Sequence, residues 1–431
     1  MCCDMGEGRT PATHPANEDP AGQMDAVTSG EPDTAPAPDD TGRRRRHRRK
    51  VLAWTCGILA LILLVTAVGL YLAYRHLNHN VHTRNISGLT GPRIKDLVPG
   101  DQNILVVGSD SRAGTNGQYG NPQNYTTAQS DTLMIVHLAA DRKWAEVVSV
   151  PRDSWVNIPA CNMGNGQMSS PQQFKINEAF ALGSLNGDQA TGAACTIKTL
   201  QAVTGVPIDH FVAINFNGFK DMVNALGGVQ VCTSQTINDP ESHLYLPAGY
   251  HVLNGNQALG YVRARYTLGT GSDLERIGRQ QAFMSSLANR AQGELYNPIA
   301  IYQFLDAATR SVEIDSGMGG IHGLYALATE LKRLPPKKLT FITMPTYPDP
   351  SSTANVLWQQ PEANQIFTSL RDDVPFTGLA GQHSGRGSSA RPAEPGAAQQ
   401  AGTPAQDGSG SPTPAPSPSV TTRTANQNIC T

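Results

Sequence analysis

Apolar positions along this chain follow three different patterns. Val51–Tyr74, "VLAWTCGILALILLVTAVGLYLAY", is apolar on every side for 24 residues without a charge. That length suits a membrane-spanning helix, which needs roughly 20 apolar residues. Beyond it, short β-branched runs bounded by turn residues read as strands. They are Asn103–Asp110, Asp131–Leu138, Trp144–Val150, His210–Phe216, Val229–Thr233 and Lys338–Met344. Between them, apolar residues recur every three to four positions and predict helices. These cover Lys175–Leu185, Ala194–Gly205, Asn217–Gly228, Ser272–Ala291, Asn297–Val312 and Gly323–Leu334. Gly205 and Gly227–Gly228 are helix stops, and Ser272-x-x-Glu275 is a capping-box start. Strands alternating with helices predict an α/β domain with a central mixed sheet over residues 95–376.

The ends behave differently. Residues 1–42 hold nine acidic side chains and one arginine within a Pro/Ala/Gly-rich context, which predicts disorder. Residues 377–431 are rich in Pro, Ser, Ala and Gly and read as a flexible tail. The division is therefore a segment 1–50, a span 51–74, a linker 75–94, the domain and the tail.

Charge changes the picture at two places. "RRRRHRRK" (Arg43–Lys50) abuts the span. Basic residues are retained on the cytoplasmic side, so the N-terminus should lie inside and the domain outside. From residue 51 onward the chain carries 25 basic and 26 acidic residues, a balance that argues against nucleic-acid binding. Of the seven cysteines, Cys161, Cys195, Cys232 and Cys430 then lie where disulfides persist. Cys430 sits in the tail, which favours Cys161–Cys195 as a clip on a Gly/Asn/Gln-rich loop.

The second place is the tip of the first three strands. Only "AADRK" joins the second to the third, so they form an antiparallel hairpin. If the first is antiparallel too, Asp110, Asp131 and Arg152–Asp153 emerge at one sheet edge. Converging carboxylates repel unless neutralised, and Mg2+ (or Mn2+), which takes oxygen ligands and substrate phosphates, would do so. Arg112, Arg263, Arg265, Arg276 and Lys175 add donors suited to phosphate, with Gln280 one turn from Arg276. In an extended "YVRARYT", Arg263 and Arg265 would share a face.

The blocks "NILVVGSDSRAG", "SDTLMIVHL", "SVPRDSW", "KINEAF", "IDHFVAINFNGFKDMVNALGGVQV", "LNGNQALGYVRAR" and "RIGRQQ" occur in the order seen in LytR-CpsA-Psr proteins, which this chain resembles. The resemblance implies a membrane-anchored phosphotransferase of Gram-positive envelopes with an α-β-α domain and a prenyl pocket between sheet and helices. It implies transfer of a glycopolymer (teichoic acid, capsule or arabinogalactan) from a polyprenyl-pyrophosphate carrier to peptidoglycan. Asp110 and Asp131 match the Mg2+-associated aspartates. Arg112, Arg152, Arg263, Arg265 and Arg276 match pyrophosphate-binding arginines, with Gln280 a polar contact. Asp153 would orient Arg152 or act as base toward the acceptor hydroxyl, and the adjacent arginine favours orientation. Two readings stand beside this one: a pyrophosphatase using water as acceptor, and a membrane-tethered attenuator of transcription acting through residues 1–50.

Overall fold

A computed structural model describes residues 40–92, 94–109, 128–264, 273–294, 297–376, 420 and 422–424. The chain divides at Val68/Gly69. Helix α1 (Asp40–Asn80) contains one stretch, Arg48–Asn80, long and apolar enough to cross a membrane. Beyond the apolar run its end joins the second unit: Leu77 and Val81 are buried there, and the His76 ring and Asn80 amide both hydrogen-bond Asp306.

After α1 come β1 (His82–Arg84), β2 (Gln102–Ser109), β3 (Ser130–Leu138), β4 (Ala145–Val150), β5 (Trp155–Ile158) and β6 (Gln172–Lys175). Helices α2 (Asn177–Gly183) and α3 (Gln189–Thr204) precede β7 (His210–Asn215) and α4 (Phe216–Ala225). Four short strands follow: β8 (Val229–Thr233), β9 (Ile237–Asp239), β10 (Leu244–Leu246) and β11 (Gly249–Leu253). Next are α5 (Gly255–Arg263), α6 (Asp273–Glu294), α7 (Pro298–Ser311), β12 (Val312–Asp315) and α8 (Gly320–Arg333). The order closes with β13 (Leu339–Thr343), β14 (Thr346–Asp349), β15 (Ser352–Trp358), α9 (Glu362–Arg371) and β16 (Thr422–Thr424).

The main sheet runs β1-β12-β7-β2-β3-β4-β13-β16 and is mixed, as expected. β2, β3 and β4 run up, down and up, with β7 parallel to β2 and β13 parallel to β4. Period-2 alternation buries both of its faces. Leu105, Leu133, Ile135, Val148 and Phe211 face one way and pack with Phe180, Leu200 and Ile366 of α2, α3 and α9. Ile104, Met134, Val147, Val212 and Phe341 face the other way, toward Leu77 of α1 and Ile321 of α8. Buried on both sides, these strands read as continuous apolar runs. A third cluster under the small ribbons includes Val223, Val231, Leu253 and Phe283.

Gly205 closes α3 at φ 69°, and Gly227 and Gly228 follow α4 at φ 70° and 95°. Only glycine takes such angles without strain. Ser272, the expected cap of α6, lies outside the described residues. Within the stretch expected to be tail, Thr422–Thr424 form β16 at the sheet edge, antiparallel to β13. Cys161 and Cys195 are bonded, with S–S 2.07 Å and Cα–Cα 5.4 Å, and both are buried. Cys232 is disulfide-bonded as well.

One buried carboxyl makes the fold sensitive to pH. Glu146 lies inside β4 and accepts from the Phe376 amide at 2.9 Å, and burial pushes its pKa up to about 7 from an ordinary 4.5. The folded chain thus holds a proton that the unfolded chain releases above 4.5. This stabilising contribution is complete below about pH 4.5 and is lost as pH rises through 7. It amounts to about 3 kcal/mol. Denaturant titrations of parent and Glu146→Gln should therefore diverge between pH 5 and 8, the parent losing roughly that much more. Parallel pH profiles would mean that the carboxyl is solvated in the native protein.

Candidate active site

The β3–β4 hairpin fixes the centre of the site. Its register pairs Leu138 with Ala145 and Leu133 with Val150, so continuing it sets Asp131 opposite Arg152. The pair forms: Arg152 Nη1 donates to Asp131 Oδ1 at 2.7 Å. Asp131 therefore has Arg152 as an ion-pair partner. The pair is half-buried, with side chains 18% and 28% exposed, so it is screened less than a surface pair.

Directly after β4, Pro151–Ser154 make a tight turn closed by the Ser154 amide and hydroxyl, both donating to the Pro151 carbonyl. Arg152 and Asp153 occupy its two central positions. Neighbours lock the turn: Asn177 N donates to Arg152 O, Val356 N to Asp153 O and Trp358 Nε1 to Ser154 Oγ. Asp153 accepts from Lys175 Nζ at 2.8 Å and lies 3.7 Å from Arg152 Nε. The four charges form one alternating chain, Asp131–Arg152–Asp153–Lys175. Lys175 corrects the helical assignment, because it is the last residue of β6, paired with Trp155, and α2 begins at Asn177.

Arginines arrive from α5 and α6. Arg263 ends α5, so it is helical rather than part of an extended "YVRARYT". The cause is local: Asn254 and Gln257 form a complete capping box that starts the helix. The Arg263 guanidinium stands 4.8 Å over the Phe216 ring, a cation–π contact. Arg276 is buried in the first turns of α6. Gln280, one turn on, donates to the Val262 carbonyl at 3.2 Å, and Arg279 donates to the Ala264 carbonyl, so α6 is braced against the end of α5. Asp110, Arg112 and Arg265 lie outside the described residues.

These groups surround one end of a cavity of about 350 Å³, within the usual range for ligand sites. Asp131, Arg152, Arg263, Arg276 and Gln280 line it together. Much of the remaining wall is apolar, with Val106, Met134 and Ile214 from the sheet and Phe219, Phe283 and Met284 from α4 and α6, beside polar Gln129, Thr132 and Asn215. Sequence reading missed the acidic lip, Asp239 and Glu241. Asp239 is buried and accepts from the amides of Glu241 and Ser242, shaping the turn. The "NDPES" turn was the available signal. Among the described residues no three of His, Cys, Asp and Glu converge as metal ligands.

A cavity that joins arginines and a carboxylate to an extensive apolar wall fits an amphipathic phosphate ligand. The LytR_cpsA_psr family model matches residues 75–372, well over half of the chain. The chain belongs to the LytR-CpsA-Psr family. It is 32% identical over 335 residues to the cell wall biosynthesis protein LcpA of Corynebacterium glutamicum, covering 72% of this chain and 62% of that protein. It is 29% identical over 318 residues to the polyisoprenyl-teichoic acid–peptidoglycan teichoic acid transferase TagT of Bacillus subtilis, covering 70% of this chain and 90% of that protein. Among solved structures, a LytR-Csp2A-Psr enzyme from Actinomyces oris aligns with TM-score 0.49 and 21% identity, over 67% of this chain and 95% of that one.

Proposed function

We propose that this LytR-CpsA-Psr protein is a phosphotransferase that moves a glycopolymer from a polyprenyl-pyrophosphate carrier to peptidoglycan. The observation that carries the reading is the mixed lining of one cavity: Arg152, Arg263, Arg276 and Asp131 share it with aliphatic and aromatic side chains from the sheet, α4 and α6. Names of relatives such as TagT agree with it. The span would hold the domain beside the bilayer that contains the carrier, with the basic run inside and the domain outside.

In the reaction, an acceptor hydroxyl oxygen bonds to the sugar-linked phosphorus, and the bond from that phosphorus to the bridging oxygen breaks. Prenyl monophosphate leaves with the bond's electron pair, the hydroxyl proton is released, and a phosphodiester remains. Arg152, Arg263 and Arg276 stabilise the charge that grows on the phosphoryl and bridging oxygens. Asp131 offers a hard carboxylate at the same wall, and with Asp110 it would suit a Mg2+ ion shared with substrate phosphates, which needs only one or two protein carboxylates. Such an ion would supply further charge neutralisation.

Asp153 acts by orientation, since it holds Lys175 and lies against Arg152. Asp153→Asn should lower turnover by about 10- to 100-fold and leave the shape of the pH–rate profile intact. Loss of the acidic limb of that profile would make Asp153 the general base instead. The reading as a whole is tested with the full chain in detergent, a polyprenyl-pyrophosphate-linked sugar, Mg2+ and peptidoglycan fragments. Mass spectrometry should find a new phosphodiester. Release of prenyl phosphate without an adduct would point to hydrolysis.

A further inference from the structure

The β5–β6 ribbon leaves the charged turn directly and has a face that the cavity does not use. Register pairs Trp155 with Lys175 and Asn157 with Gln173, so these four side chains share one face. The opposite face anchors the ribbon, because Val156 and Ile158 are buried in the core. On the first face Asn157 and Gln173 are exposed, and Trp155 and Lys175 are half-buried. The indole is held by Phe174, with ring centroids 5.5 Å apart at 40°.

The far end is held as firmly. Cys161, three residues past β5, is bonded to Cys195 of α3, and Lys198 Nζ donates to the Ala160 carbonyl at 2.6 Å. An Asn162–Met168 bridge continues the pairing beyond the strands, and Ser169 N returns to Cys161 O at 2.8 Å. Gln172, Gln173 and Phe174 are exposed on a ribbon that is therefore fixed in shape. A preorganised surface loses less entropy when it binds.

We propose that this face is a carbohydrate subsite for the acceptor's glycan chain, an inference that rests on the transferase reading above. The chemistry matches on three counts. An indole presents a flat apolar face to the C–H side of a pyranose ring, while its polar edge stays wet. Asn157 and Gln173 each offer both donors and an acceptor to hydroxyl and acetamido groups, and carry no charge. Trp155 and Asn157 lie two residues apart, roughly 7 Å along the strand, which spans a sugar ring. Position selects the acceptor over the donor. None of Trp155, Asn157, Gln173 and Lys175 lines the cavity that takes the donor, yet Lys175 bonds Asp153, the neighbour in sequence of the cavity-lining Arg152. A glycan lying along the ribbon thus delivers a hydroxyl toward Arg152 from outside.

The test uses the full chain in detergent and three probes: a tetrasaccharide of the peptidoglycan backbone without stem peptides, sugar-free prenyl pyrophosphate, and a prenyl-pyrophosphate disaccharide. Affinities are measured by calorimetry for the parent, for Trp155→Ala, and for Asn157→Ala combined with Gln173→Ala. The double variant alters only exposed side chains, so folding is preserved even where Trp155→Ala fails to fold. The parent should bind the tetrasaccharide, and loss of both amides should weaken that binding about tenfold. Both lipid probes should bind the double variant as they bind the parent. Equal tetrasaccharide binding by parent and double variant, or none by the parent, would overturn the proposal. Weakening confined to the lipid-linked disaccharide would overturn the acceptor assignment in favour of the donor sugar. A parent that binds the tetrasaccharide but neither lipid would sink the transferase reading and leave the glycan surface standing.

Discussion

Arg263→Ala should lower polymer transfer by about 100- to 1,000-fold while leaving the unfolding midpoint nearly unchanged. In the proposed role Arg263 is one preorganised charge facing the transferring phosphoryl group, and losing such a charge costs about 3–4 kcal/mol in transition-state stabilisation. The small stability effect follows from place: Arg263 is exposed at the last position of α5 and touches Phe216 by its charged head. Arg276 is a poorer test, because it is buried and its truncation would also disturb packing. Arg263→Lys should recover only part of the rate, since an ammonium cannot hold two phosphate oxygens in one plane. The measurement is turnover of a polyprenyl-pyrophosphate-linked sugar under saturating acceptor, with thermal unfolding as control. Full turnover by the alanine variant would remove Arg263 from the site and leave the cavity's cationic end to Arg152 and Arg276.

Much of this arrangement is legible in the residues, and the reasons are physical. "ILVV", "LMIV" and "EVVSV" announce strands because the sheet is covered on both faces, so nearly every position is apolar. The short link "AADRK" forces a hairpin, and its register places Arg152 against Asp131. The same logic fails at short ribbons. β5 alternates between core and solvent for only four residues, and β6 is exposed or half-buried throughout, with amides outside, which resembles a loop. β12 follows α7 without a turn, since Val312 is both the helix cap and the first strand residue, so no boundary marks it.

Lys175 and Arg263 depart from their local sequence patterns for opposite reasons. "KINEAF" has helical spacing, but pairing with Trp155 keeps Lys175 in the ribbon and turns its ammonium to Asp153. "YVRAR" alternates like a strand, but the Asn254–Gln257 capping box fixes the helix before that pattern can act. In both cases a contact outside the window decided the local structure. The cavity wall was hidden differently. Phe283 and Met284 sit on the apolar stripe of α6, and a stripe reads as core whether it faces a neighbour or a ligand.

The disulfide carries the second large effect. Replacing both Cys161 and Cys195 by alanine should destabilise the second unit by about 4 kcal/mol, from the loop entropy released to the unfolded chain. The bond closes a loop of sequence separation 34 and joins the segment after β5 to the middle of α3. Both sulfurs lie inside the main core, so the alanine pair also leaves a small void there. Denaturant unfolding of the double variant should show a lower midpoint with an otherwise similar slope. A reductant added to the parent should cost more than the double variant does, because it opens the Cys232 bond too. The functional consequence should be selective. The Asp131–Arg152 pair is set by the β3–β4 register and survives, whereas the β5–β6 ribbon loses its far anchor. Sugar-free prenyl pyrophosphate should therefore still bind below the melting transition, while transfer to peptidoglycan falls. An unchanged midpoint would mean that Lys198, the Asn162–Met168 bridge and the burial of Val156 and Ile158 hold the ribbon unaided.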